Sequence, residues 1–96
     1  MFKSWLYLIG EIEDNNYSAE NVLCPECKKK QIDYMYVGDS NTNIGYLSIW
    51  CNSCNKGVNM SRVMIPKGAK RLEFGNMEGI KNNIPRFEQV YPDIYK

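Results

Sequence analysis

Apolar and polar residues alternate along three stretches of the chain with the two-residue period of a strand. Ile32, Tyr34 and Tyr36 fall on one face of Gln31–Val37, and Met35 and Val37 fall on the other. Ile44–Trp50 and Val58–Ile65 repeat the pattern, the second with Val58, Met60 and Met64 on a shared face. The period predicts three strands. Gly38–Asn43 is a loop between the first two, Asn55-Lys56-Gly57 turns the chain before the third, and Pro66 and Gly68 stop it. Trp5–Ile12 is apolar on both faces of an extended chain, with Trp5, Tyr7 and Ile9 alternating with Leu6 and Leu8. This predicts a further strand, covered on both sides and ended by Asp14, Asn15 and Asn16. Tyr17–Leu23 reads as a connector. Asn76 is placed to cap a short helix holding Met77, Ile80 and Ile84, which Pro85 ends. Phe87, Val90, Tyr91, Ile94 and Tyr95 have helical spacing, but Pro92 interrupts it, so the sequence predicts an irregular or extended segment there. Its large apolar side chains argue that residues 86–96 dock on the protein or on a partner.

Composition changes this picture in one respect. A chain of 96 residues with 44% hydrophobic residues has room for one domain with a thin core, which calls for a staple. The absence of His removes every mechanism that uses imidazole, including Ser-His and Cys-His nucleophiles and His-ligated catalytic metals. No Gly-rich phosphate loop or nucleophile elbow is present. Glu11 and Glu13 lie two apart beside turn residues and read as solvated. No enzyme, and no small-molecule substrate, is expected. The apolar run from Trp5 to Gly10 is too short for a signal peptide or a membrane span, so the cytoplasm is the expected location and no membrane partner is expected.

The staple is visible in the cysteines. Cys24-Pro25-Glu26-Cys27 and Cys51-Asn52-Ser53-Cys54 are separated by 23 residues. Each pair can aim two sulfurs at one ion while neighbouring backbone N–H groups stabilise the thiolate charge, and zinc takes four thiolates tetrahedrally. The spacing is a little longer than the usual pattern for such sites, and the Gly38–Asn43 loop accounts for the surplus. The expectation is one structural Zn2+ held by Cys24, Cys27, Cys51 and Cys54. Two alternatives stay open on the residues alone. Disulfides would suit a secreted mini-protein, and a redox Cys-x-x-Cys would need a βαβ setting that the pattern does not offer.

On these residues the chain resembles a zinc ribbon. The likeness runs over residues 22–66: the two knuckles, the strand Gln31–Val37, the strand Gly45–Trp50, Lys56-Gly57 and the strand Val58–Ile65. In general texture the chain is similar to small uncharacterised proteins of low-GC Gram-positive bacteria or their phages. The resemblance implies two knuckles on a three-stranded antiparallel sheet and a bound zinc, but no single function. The expected fold is therefore a single domain spanning 1–96 and small and mostly β. A zinc-ribbon-like antiparallel sheet (22–66) would carry an added N-terminal strand and connector (1–21) and a C-terminal extension packed on it (67–96).

Charge decides between partners. Residues 1–23 hold one base, Lys3, against Glu11, Glu13, Asp14 and Glu20, whereas residues 24–71 hold eight bases against Glu26, Asp33 and Asp39. A zinc bound by four thiolates offsets two of those positive charges. What remains is a modest basic patch, well short of the footprint of a dedicated nucleic-acid binder. Lys28, Lys29, Lys30 and Arg62 are the candidate nucleic-acid contacts, with Tyr34, Tyr36, Tyr46 and Trp50 as stacking platforms or, as the blander reading, core. The expected function is a non-catalytic, zinc-stabilised binding module that contacts a protein partner, as an adaptor, regulator or immunity-type protein. The alternative is a nucleic-acid-binding zinc ribbon acting in transcription or RNA metabolism.

Overall fold

The computed structural model describes residues 2–90. Seven elements follow in order: α1 (Phe2–Asp14), β1 (Ile32–Gly38), β2 (Ile44–Cys51), β3 (Lys56–Met64), β4 (Arg71–Glu73), α2 (Met77–Asn83) and β5 (Glu88–Gln89). The strands form one mixed sheet in the order β4-β1-β2-β3-β5. Its centre is the antiparallel meander β1-β2-β3, within two residues of each predicted boundary. The short edge strands β4 and β5 add in parallel to β1 and β3. The protein is thus small and mostly β, with a mixed rather than wholly antiparallel sheet.

The expected N-terminal strand Trp5–Ile12 is instead part of helix α1. Extended pairing would put Glu11 and Glu13 on the same face as Trp5, Tyr7 and Ile9. The helical period separates them: Trp5, Leu8 and Ile12 are buried, while Glu11, Glu13 and Asp14 are exposed. The helix also covers a sheet face that no other element would cover, packing on Tyr34, Tyr36, Leu47, Ile49 and Val58. It stops in a Schellman turn. Asn16 adopts a left-handed φ of 58°, Asn16 N–H donates to Glu13 O at 3.1 Å, and Tyr17 N–H donates to Ile12 O at 2.8 Å. The connector then packs Ala19 and Val22 into the same core.

Tyr34 fixes that core to both flanking segments. Its hydroxyl donates to Tyr17 O at 2.6 Å and accepts from Lys70 N–H at 3.2 Å, so a ring 1% exposed carries no unpaired polar atom. On the opposite sheet face a smaller cluster gathers Met35, Val37 and Trp50 under Leu72, Ile80, Ile84 and Phe87. Helix α2 lies where the sequence places it. Asn76 caps it by accepting from Gly79 N–H at 2.9 Å, and the chain becomes extended at Ile84, before Pro85. Phe87 then stacks on Trp50 with ring centroids 6.3 Å apart. Gly57, opposite Trp50 in the ladder, makes room for it: a Cβ there would come within 2.8 Å of the Phe87 ring. Glu88 N–H donates to Asn55 O and Val90 N–H to Gly57 O, and Val90 reaches the first core. The segment expected to dock is therefore docked as far as Val90. Tyr91, Pro92, Ile94 and Tyr95 lie outside the described residues.

Candidate metal centre

Both knuckles sit at one end of the meander. The first immediately precedes β1, and the second closes β2 and opens β3. Asn52 N–H donates to Gln31 O at 2.8 Å, which continues the β1–β2 ladder into the site. Each knuckle turns in the same way. Lys28 N–H donates to Cys24 O at 2.9 Å, and Asn55 N–H donates to Cys51 O at 3.0 Å. The residue after each second cysteine takes a left-handed φ, 63° at Lys28 and 60° at Asn55. Asn tolerates that conformation readily, whereas Lys adopts it only under local constraint.

The turns aim backbone N–H groups at sulfur. Cys24 Sγ accepts from Glu26 N–H at 3.3 Å, and Cys51 Sγ accepts from Ser53 N–H at 3.3 Å. The backbone N–H groups of Lys29 and Lys56 serve Cys27 and Cys54 in the same way. Every cysteine therefore receives the N–H two residues further along the chain. This repeated bond stabilises negative sulfur.

The four sulfurs lie within 4.8 Å of one another. Cys24 Sγ is 3.6 Å from Cys54 Sγ, and Cys27 Sγ is 3.6 Å from Cys51 Sγ, so each close pair joins one knuckle to the other. Four sulfurs about 2.3 Å from a central ion in a tetrahedron are about 3.8 Å apart; two pairs here stand at 3.6 Å and all four sulfurs lie within 4.8 Å, compact enough to surround one ion. The thiols are free, and 3.6 Å is far beyond the roughly 2.05 Å of a disulfide. The residues present thus fit a tetrahedral metal ion.

Cys24 and Cys51 are buried, while Cys27 and Cys54 are half-buried at the surface. Burial pushes the Cys24 thiol up to about 12, and burial also raises Cys54. The Lys29 backbone N–H, with the neighbouring sulfurs, pulls Cys27 down to about 7. Without a cation Cys27 ionises before Cys24 and Cys54. A divalent ion compensates the burial of the inner sulfurs as they lose their protons.

Glu26, at the tip of the first knuckle, was not singled out by the sequence. One of its oxygens accepts from Trp5 Nε1 at 3.1 Å, and the other lies 3.8 Å from Lys56 Nζ, just after the second knuckle. It joins α1 to both halves of the site. The partners are 21 residues apart in one case and further in the other, so no local pattern announces them.

The basic candidates are not brought together. Lys28, Lys29 and Lys30 are exposed beside the first knuckle. Arg62 is exposed near the far end of β3, six residues beyond Lys56, or about 20 Å along an extended strand. Lys70 and Arg71 are paired with Asp33 and Glu73. Tyr34, Tyr36 and Trp50 are at most 5% exposed and belong to the two cores; Tyr46 is half-buried. No helix among the described residues is long and apolar enough to cross a membrane. No protein-family model, curated protein or solved structure matches this chain.

Proposed function

We propose that this chain is a non-catalytic binding module, stabilised by one structural zinc on Cys24, Cys27, Cys51 and Cys54, that contacts another protein. The observation that carries the reading is the cluster of four cysteine sulfurs, all within 4.8 Å of one another, at the end of the sheet. Soft thiolates at this spacing suit zinc, and four protein ligands leave no position for a reacting water. When bound, the ion cross-links the start of β1 to the β2–β3 turn. The backbone N–H groups of Glu26, Lys29, Ser53 and Lys56 hold the sulfurs in place to receive it.

A protein partner is favoured over nucleic acid by what lies at the surface. Tyr34, Tyr36 and Trp50 are buried and Tyr46 is half-buried, and Arg62 stands far from Lys28–Lys30. Large apolar side chains are exposed instead, including Tyr7 at 73%, Met64 at 72% and Phe74 at 50%. Tight non-specific binding to nucleic acid draws on about 6–10 phosphate contacts, more than this scattered set of bases offers.

Elemental analysis of protein purified without chelator tests the metal, with close to one zinc per chain expected. Affinity purification from the native cell, read by mass spectrometry and by nucleic-acid staining, tests the partner. Absence of metal would remove the first half of the proposal. Sub-micromolar binding to DNA or RNA at physiological salt would put the nucleic-acid reading in place of the second.

A further inference from the structure

The sheet face opposite α1 is only partly covered. Helix α2 and the segment that follows it lie over Met35, Val37 and Trp50. Beside that cover, a cavity of about 640 Å³ opens between the sheet and residues 84–87, a volume in the range of small-molecule pockets. Tyr46 and Ser48 of β2 pair with Ser61 and Asn59 of β3, so these four side chains share one face and form the cavity floor. That floor is polar at a place where sheets are ordinarily aliphatic. Ser48 lies in the middle of the central strand, between Tyr46 and Trp50 on the same face, and is 1% exposed. Tyrosine and cysteine aside, it is the one buried polar residue among those described.

The groups on the floor are held in place, and those left over are donors. Ser48 Oγ–H donates to Asn59 Oδ1, and Asn59 Nδ2–H donates to Gln89 Oε1 at 3.1 Å. This chain of bonds engages the Asn59 carbonyl oxygen and leaves the second N–H of its amide. Tyr46 Oη, Ser61 Oγ and the Arg86 guanidinium make no hydrogen bond within the described residues, whose ion pairs are Lys56–Glu26, Lys70–Asp33 and Arg71–Glu73. Among the described residues Arg86 is the one charged side chain that lines the cavity, and no carboxylate lines it. The wall above the floor is flat and apolar. Phe87 is fixed by its stacking on Trp50, with the two rings 14° from parallel, and Ile84 and Pro85 continue the wall.

We propose that this cavity binds a small organic anion built of a flat ring and a carboxylate. The Arg86 guanidinium presents a planar fork that matches a carboxylate in bidentate fashion. A phosphate dianion would call for a second cation, and among the described residues no other lines the cavity. The ring of the ligand lies against Phe87 and Tyr46, and the Ser61 hydroxyl and Asn59 amide donate to its remaining acceptor atoms. The inference goes beyond the protein-binding reading and does not depend on it.

The test is a titration of 2-naphthoate into the isotope-labelled, zinc-loaded full chain, followed by NMR. Its neutral isostere 2-naphthamide and the ringless anion acetate are the controls. The expected result is saturable shifts confined to Tyr46, Asn59, Ser61, Arg86 and Phe87 with naphthoate, and binding of both controls weaker by about tenfold or more. Arg86 is exposed, so Arg86→Gln should keep the wild-type melting temperature. The same variant should weaken naphthoate by about tenfold or more and naphthamide by less than about twofold. A gap in the covering of the sheet with no binding role cannot give a loss that depends on the charge of the ligand.

Absence of saturable shifts at millimolar naphthoate, shifts located elsewhere, equal binding of naphthamide, or Arg86→Gln binding naphthoate as tightly as wild type would each overturn the inference. So would naphthoate binding that appears only in a variant ending at Val90, which would assign the cavity to residues 91–96 of the chain itself.

Discussion

Replacing Glu26 with Ala removes a side chain that touches both α1 and the segment after the second knuckle. Trp5 is 0% exposed, and its Nε1–H would lose the carboxylate acceptor that stands 3.1 Å away. A buried donor left without a partner costs about 1–3 kcal/mol, toward the upper end where the lost acceptor is charged. The pair with Lys56 adds little. At 3.8 Å, with the Lys56 side chain 40% exposed, it is worth about 0–1 kcal/mol. The sum is about 2–4 kcal/mol, which for a chain of this size lowers the melting temperature by about 8–32 °C. Glu26→Gln keeps an acceptor for the indole and gives up only the charge, so it should stay within a few degrees of wild type. Thermal melts of the zinc-loaded variants by circular dichroism, with metal content measured on the same samples, make the comparison. A second cycle combining Glu26→Ala with Lys56→Ala should show coupling below about 1 kcal/mol. Equal melting of Glu26→Ala and wild type, both with full metal, would show that the indole bond does not hold α1 to the knuckle and would refute the reasoning.

Three other outcomes are expected. Cys51→Ser should abolish cooperative folding, because a structural zinc supplies on the order of 10 kcal/mol and the native margin of a chain this size is about 5–15 kcal/mol; a wild-type melt would refute the view that metal holds the fold. As a chelator begins to draw metal from the folded protein near pH 7–8, limiting iodoacetamide should label Cys27 well before Cys24. The reactive thiolate is substantially formed at Cys27, with its pKa of about 7, whereas Cys24 stays protonated until about 12, and peptide mapping that finds equal rates would contradict the assignment. Phe87→Ala removes the ring stacked on Trp50 and should cost about 1–3 kcal/mol for a half-buried aromatic, read as a lower melting temperature; an unchanged melt would mean that the segment after Pro85 does not stabilise the sheet.

The three central strands and the four sulfur ligands were legible in the sequence because each carries a local sign. Ile32–Val37 alternates, Gly38–Asn43 breaks the chain, and the two Cys-x-x-Cys units repeat. Helix α2 was legible for the same reason, since Asn76 and Pro85 mark its ends. Helix α1 was not. Five consecutive apolar residues, Trp5 to Ile9, satisfy a strand covered on both sides as well as a helix. What separates the two readings is the placement of Glu11 and Glu13, and the sheet face that needs a cover. β4 and β5 are three and two residues long and have no period of their own. Tertiary pairing with β1 and β3 defines them. The link from Trp5 through Glu26 to Lys56 is long-range by nature, and only the folded chain brings those residues together.

The brevity of β5 has a consequence for how the protein behaves in a crowded solution. Its ladder with β3 covers only Lys56 and Gly57, so among the described residues the rest of that strand is an edge with hydrogen-bonding groups turned outward. Such edges recruit strands from other molecules and seed aggregates unless something spoils their regularity. Here the ladder slips at Gly45/Tyr46, and Arg62 sits in that irregular stretch with a left-handed φ of 56° and an exposed charged side chain. A twisted backbone and a charge halt the growth of a sheet at this point. Arg62 thus interrupts the regularity of this edge, away from the other basic residues.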